Sequence, residues 1–412
     1  MIRHTLPADW REMVLGKAAK VSIGLVTTMT TNYSESGTPL IRNSNISENR
    51  INKPDLIFLR DDFADQYPTR KLQAGDIVTV HTGDVGVSAI VDQELDGCLG
   101  FATLNTRVDP AILLPEYLCW YFNSHPFISY SLAVSTGDGR NNLNLKDFVK
   151  ARIPVPPLPE QQKIAAILST WDRAIELTEK LILVKQKRKQ ALMQQLLTGK
   201  VRFAEFEGKP WKQVRLGDLL KEVKRMVEWD DNAEYHLLSI RRRSGGMFDR
   251  ETKLGHDIKT KVMMKTETGD FVIARMQAVH GAITVTPPEC HGKHVSGSYS
   301  TFVAKDPDKL HMPFLNYVSQ TLSFYRLLLL SAYGVTIEKM TFNLPWFLNE
   351  KIEMPPTLVE QKRIADVFDS FERENAALGR RLDSLKQQKK GLMQQLLTGK
   401  VRVNVDAEMV KG

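Results

Sequence analysis

Cysteine is scarce in this 412-residue chain. Cys98, Cys119 and Cys290 are the whole set, and no two stand in CxxC spacing. An odd, sparse set builds no disulfide framework and fits a reducing compartment. Long apolar runs are missing as well. The densest, Leu327-Leu328-Leu329-Leu330 behind Arg326, falls far short of the roughly 18–20 residues that cross a bilayer. The start carries His4, Asp9, Arg11 and Glu12 where a signal peptide would place an apolar core. These absences predict a soluble, cytoplasmic protein with no membrane partner.

The signatures of enzymatic chemistry are equally thin. A phosphate-cradling P-loop needs an upstream glycine and a Ser or Thr after Gly-Lys, but Gly199-Lys200 is followed by Val201. No GxGxxG opens a helix, so a dinucleotide or methyl-donor pocket has no anchor. The Asn-Pro-Pro-aromatic signature of amino-methylating enzymes is absent, because Val155-Pro156-Pro157 and Met354-Pro355-Pro356 lack both flanks. Glu251-Thr252-Lys253 could end a metal-dependent nuclease motif but has no partner aspartate in a convincing place. Cys290, His291 and His294 offer three metal ligands without a fourth at a structural spacing, and a surface loop is the plainer reading. The expectation is no catalytic residue, no metal and no cofactor in this chain.

What the sequence does contain is a repeat. Leu-Met-Gln-Gln-Leu-Leu-Thr-Gly-Lys-Val-Arg occupies 192–202 and recurs at 392–402, eleven identities in a row. The match extends backwards at the same shift of 200. Pro156, Leu158, Glu160, Gln161, Ile164 and Ala165 correspond to Pro356, Leu358, Glu360, Gln361, Ile364 and Ala365. Fainter echoes precede each copy: Trp10, Leu15 and Gly16 with Trp211, Leu216 and Gly217; Gly75-Asp76 with Gly269-Asp270; Asn144-Leu145 with Asn343-Leu344. The order is variable segment, repeat, variable segment, repeat.

Each repeat has a four-three apolar spacing, the mark of a coiled-coil seam. In the first copy the seam is Ile164, Leu168, Trp171, Ile175, Ile182, Leu192 and Leu196, with Thr178, Lys185 and Lys189 filling the register. In the second it is Ile364, Phe368, Phe371, Leu378, Leu382, Leu385, Leu392 and Leu396, with Asn375 and Lys389 filling it. Pro159 and Pro355-Pro356 mark the helix starts and Gly199 and Gly399 the stops, giving helices of about 37 residues and roughly 55 Å. Core packing in a globular helical domain is the bland alternative. The polar runs Lys185-Gln186-Lys187-Arg188-Lys189 and Lys386-Gln387-Gln388-Lys389-Lys390 leave little else to bury, so the two helices are expected to pair antiparallel.

The chain is basic, with a formal net charge of +8 and a pI near 9.2. The excess lies in the helices. Residues 160–202 hold nine Lys/Arg against four Asp/Glu, and 360–402 hold ten against six, so the remainder is close to neutral. Nucleic-acid contact would therefore depend on local loops.

The variable segments read as mixed α/β domains of an α+β protein. Strands are expected at 77–80 and 86–91, and again at 271–274 and 282–285, with helices at 114–122 and 314–330. The expected limits are 1–155 for the first recognition domain and 156–202 for the first helical spacer. The second domain follows at 203–355, the second spacer at 356–402 and a tail at 403–412. Arg241-Arg242-Arg243 beside Ser244-Gly245-Gly246 places three guanidiniums at a turn, suited to guanine edges or phosphates. Gly137-Asp138-Gly139-Arg140-Asn141-Asn142 combines arginine with asparagines, which suit adenine edges. His81 and Thr82, and Arg275 and Gln277, follow the equivalent strands and are weaker candidates. Solvated turns account for the same compositions.

Pro157-Leu158-Pro159-Glu160-Gln161 leading to Leu196-Leu197-Thr198-Gly199-Lys200 resembles the conserved region of Type I restriction–modification specificity (S) subunits, and the second copy does too. Val359 departs from the usual proline. The resemblance implies two target recognition domains in a pseudo-twofold repeat. Each would read one half of a bipartite site in double-stranded DNA, with the antiparallel coiled coil setting the spacing. It implies docking of two modification (methyltransferase) subunits and of restriction/translocase subunits. Those partners would carry S-adenosylmethionine, ATP and Mg, and this subunit would be non-catalytic. Two alternatives are a coiled-coil scaffold that binds only protein and a stand-alone DNA-modifying enzyme, which would need a cofactor or metal motif.

Overall fold

The structure, a computed structural model, describes residues 6–137, 139–336 and 340–404. It contains two long helices of 39 residues each, Leu158–Leu196 and Leu358–Leu396. Both begin inside their prolines. Pro159 is the second helical residue, where a missing N–H costs nothing because the first turn has no intrahelical acceptor. Both end at Leu196 and Leu396, ahead of the glycines. Gly199 and Gly399 take the turn beyond with φ of 67° and 71°.

The chain divides into two compact units, residues 1–179 with 380–412, and residues 180–379. Each unit therefore holds the first part of one long helix and the last part of the other. In the first unit Lys389 Nζ meets Asp172 at 2.5 Å and Lys386 Nζ meets Glu179 at 2.7 Å. One helix thus rises in number as the other falls, which is antiparallel pairing. In the second unit Lys185 pairs with Glu374 and Lys189 with Glu372. The pairs Lys389–Asp172 and Lys189–Glu372 sit at positions related by the 200-residue shift. Each lysine also lies over an aromatic ring at matching places, Trp120 at 4.7 Å and Tyr317 at 5.6 Å.

Of the seam residues, Ile164, Leu168, Ile175, Leu196, Ile364, Phe368, Phe371 and Leu396 are buried. Trp171, Ile182, Leu192, Leu378, Leu382, Leu385 and Leu392 are half-buried, and none is exposed.

Around each helix pair the variable segment folds alike. The first unit has a four-stranded antiparallel sheet of Ala19–Ile23, Thr103–Val108, Ile77–Val80 and Ser88–Ile90. The second has Leu220–Val223, Tyr299–Ala304, Phe271–Ala274 and Ile283–Val285 in the same order. A second four-stranded sheet, with one parallel pairing, stands in each unit. A strand pair joins the start and end of each variable segment, Arg11–Val14 with Arg152–Val155 and Lys212–Arg215 with Lys351–Met354. The expected helix at 314–330 is two helices, Met312–Val318 and Leu322–Leu330, because Thr321 caps a new start by accepting from the Phe324 N–H.

The cores recruit the helices directly. Trp10, Leu15, Tyr117, Phe122, Phe127 and Phe148 cluster with Ile164, Leu168, Leu396 and Leu397. Leu216, Phe271, Phe314, Phe324 and Phe347 cluster with Ile364, Phe368, Leu196 and Leu197. The repeated Glu-Gln dipeptide ties these parts together. Gln161 is fully buried; its side-chain oxygen accepts from the Leu114 N–H at 2.8 Å, and its amide donates to the Ile112 and Pro156 carbonyls. Gln361 does the same with His311, Lys309 and Pro355. The Gly-Asp echo is structural too. Asp76 and Asp270 are buried turn carboxylates that accept backbone N–H groups from Gln73 and Glu267 and pair with Arg107 and Arg225.

Candidate nucleic-acid interface

The sheets deliver equivalent strand ends to the candidate loops. In the first unit strand Ile77–Val80 runs into His81 and Thr82. Asn142 folds back over them, bridging to both Thr82 and Thr136. The Gly83 N–H donates to the Asn141 carbonyl at 3.0 Å and the Leu143 N–H to the His81 carbonyl at 2.9 Å. Thr82 Oγ1 donates to Asn142 Oδ1 at 2.6 Å and lies 2.8 Å from His81 Nδ1. The structure thus brings His81, Thr82, Arg140, Asn141 and Asn142 into one cluster. Arg140 and Asn141 are exposed, and the other three are half-buried. Burial lowers the His81 pKa, favouring the neutral imidazole. Asp138, part of the same motif, lies outside the described residues.

Asn142 has one carbonyl lone pair engaged by Thr82, whereas the Asn141 amide projects without a side-chain partner among the described residues. Asn43 is a member that the sequence did not single out. Its Oδ1 accepts from the His81 N–H at 3.1 Å. It lies 38 positions away, so no local pattern connects the two.

In the second unit strand Phe271–Ala274 ends at Arg275, which opens a short 3-10 helix, Arg275–His280. The loop at 241–246 docks on that helix and on the residue after it. The Arg243 N–H donates to the His280 carbonyl at 2.8 Å and the Ser244 N–H to the Gly281 carbonyl at 2.7 Å. Arg242 Nε donates to Gln277 Oε1 at 2.9 Å, and Ser244 Oγ lies 2.9 Å from the Tyr325 hydroxyl. Arg241, Arg242, Arg243, Arg275 and Gln277 are therefore one cluster. Arg275 is the most constrained, with its guanidinium donating to the Gly297 and Ser298 carbonyls. Among the described residues none of Arg140, Arg241, Arg242, Arg243 and Arg275 forms an ion pair with a carboxylate. Uncompensated guanidiniums on pinned loops are what anionic and base-edge recognition needs.

The other chemical candidates resolve locally. Cys290 is buried, His291 Nδ1 accepts from the Thr268 N–H, and the His294 ring packs edge-on against Tyr235. Glu251 pairs with Arg250 and Lys253. Among the described residues no group of three or more His, Cys, Asp or Glu is arranged to hold a metal. No helix among them is long and apolar enough to cross a membrane.

The profile of the Type I restriction modification DNA specificity domain matches residues 7–185. A putative type I restriction enzyme specificity subunit, MjaX of Methanocaldococcus jannaschii, is 24% identical over 97% of this chain and 95% of its own. Two crystal structures share the fold. The S subunit of a type I restriction–modification system from M. genitalium has a TM-score of 0.59 at 14% identity, covering 96% of this chain and 98% of that one. The HsdS subunit of Thermoanaerobacter tengcongensis has a TM-score of 0.52 at 19% identity, covering 97% and 99%. Residues 7–185 are thus similar to the type I restriction modification DNA specificity domain, and nearly the whole chain is similar to a putative specificity subunit and shares the fold of two S subunits.

Proposed function

We propose that the chain supplies DNA sequence specificity to a type I restriction–modification complex and performs no chemistry itself. The observation that carries this is a contrast between two copies of one frame. The buried Glu-Gln helix starts and the lysines Lys189 and Lys389 repeat at a shift of 200, and the Gly-Asp turns recur before equivalent strands, while the residues after those strands, and the loops that dock on them from different parts of each unit, hold different side chains. One loop set offers His81, Thr82, Arg140, Asn141 and Asn142. The other offers Arg241, Arg242, Arg243, Arg275 and Gln277. A constant frame with two chemically distinct loop sets fits one chain reading two different half-sites of a bipartite duplex site.

On this reading segments 1–155 and 203–355 are the recognition domains, and 156–202 and 356–402 are the spacers that set half-site separation. The spacers also offer equivalent seats for two modification subunits, and restriction or translocase subunits join through the assembled complex. S-adenosylmethionine, ATP and Mg act in those partners, and the complex works in the cytoplasm.

The test is duplex binding by the chain in complex with its modification subunits. Selection from a random duplex library should enrich one split motif, and log affinity should fall linearly with log salt. A protein-only scaffold would enrich nothing and show no salt slope.

A further inference from the structure

The loop at 241–246 has a backbone that its residues do not favour. Arg243 and Ser244 both occupy left-handed φ, 56° and 51°, where a Cβ crowds the following carbonyl. Glycine would be at ease there, yet the glycines stand after these positions, at 245 and 246. The two residues are held in place from outside the loop by the His280 and Gly281 carbonyls and the Tyr325 hydroxyl. Gly281 itself must be glycine, because its φ is 68° and a Cβ would lie 2.8 Å from the Tyr325 ring.

The four arginines of this cluster are not equivalent. Arg241 stacks on Phe248 with its guanidinium carbon 4.1 Å from the ring centre. Arg242 is tied to Gln277, and Arg275 to two carbonyls. Arg243 is exposed, and among the described residues its guanidinium has no hydrogen-bond, ion-pair or ring partner. Its backbone is fixed while its five donors are free. Phosphate contact needs no such arrangement, because any flexible basic side chain supplies it. A guanidinium fork presented from a pinned backbone matches the paired O6 and N7 acceptors of guanine.

Resting on the reading of the chain as a DNA specificity subunit, we propose that Arg243 is a specificity-determining residue. It reads a guanine in the half-site bound by the second unit, with the Arg242–Gln277 hydrogen bond and the His280 and Gly281 carbonyls positioning the loop. The experiment expresses the full chain, wild type and variants, with its modification subunits and maps methylated adenines by sequencing. Arg243→Lys keeps the charge and loses the fork; Arg243→Gly removes the side chain and fits φ 56°. Both variants should relax one guanine in one half of the motif, with preference for it falling on the order of 10- to 100-fold. The other half should stay unchanged, and the Gly variant should melt no lower than wild type. Retention of the guanine by the Lys variant would show that a positive charge without the fork suffices, and would overturn the proposal of the fork as the reading device. An unchanged motif in the Gly variant, or loss of both halves together, would overturn it too. A wild-type complex that yields no split motif would instead sink the reading on which the proposal rests.

Discussion

Arg202 closes on Glu360 through two hydrogen bonds, from Nε at 2.9 Å and from Nη2 at 2.7 Å. The carboxylate side chain is 1% exposed and the guanidinium 13%. Trp211 Nε1 adds a third donor at 3.2 Å. Arg402, Glu160 and Trp10 repeat the arrangement in the other unit, with Asp9 as an extra acceptor. A buried carboxylate is costly unless paired. Arg202→Ala should therefore lower stability by about 3 kcal/mol, read as a drop in the urea midpoint. Arg402→Ala should cost less, because its guanidinium is 42% exposed and partly solvated already. The reverse order would contradict this account of the repeated Glu.

Asn375 occupies a seam position with its Oδ1 buried and without a hydrogen-bond partner among the described residues. Asn375→Leu should raise stability by about 1 kcal/mol, because it removes an unpaired acceptor and adds apolar burial. A fall in the thermal midpoint would show that the oxygen has a partner in solution.

His81, His294 and His311 are all held below the ordinary value of 6.5, in each case chiefly by burial. A base depressed by folding is neutral when native and takes up a proton on unfolding. Its contribution is intact above about 6.5 and is lost as pH falls through the folded values. Thermal midpoints should thus decline between pH 7.5 and 5. His294→Gln should flatten the decline, since that ring is 7% exposed with Nδ1 unpartnered. A flat profile in the parent protein would exclude the histidines as the cause.

Gly281→Ala tests the link between the two loops of the second unit. The added Cβ meets the Tyr325 ring at 2.8 Å in a backbone conformation that already disfavours it. The expected results are a loss of about 1–3 kcal/mol in stability and altered recognition in one half-site alone. Unaltered recognition would separate the docking of the 241–246 loop from DNA reading.

Local pattern explains what could be read in advance. The seam, the strands at 77–80 and 271–274 and the two long helices follow from periodicity and breakers within a few residues. Glu160 and Glu360 showed up as repeat identities, but their partners did not. Arg402 lies 242 positions from Glu160, and nothing local joins them. The basicity of the helices was visible in the sequence, yet its use was not. Lys185, Lys189, Lys386, Lys389, Arg202 and Arg402 all meet carboxylates within their own units. For the candidate loops, composition supplied the residue types. Only the fold showed that Arg275 is consumed by backbone carbonyls while Arg243 is free.

If two chemically different loop sets on one repeated frame read two half-sites, replacing one set must alter one half-site alone. Methylated adenines made by the complex are mapped before and after residues 203–355 are exchanged for the matching segment of a similar protein. One half of the split motif should change while the other half and the spacer length stay fixed. An unchanged motif, or replacement of both halves at once, would contradict this reading.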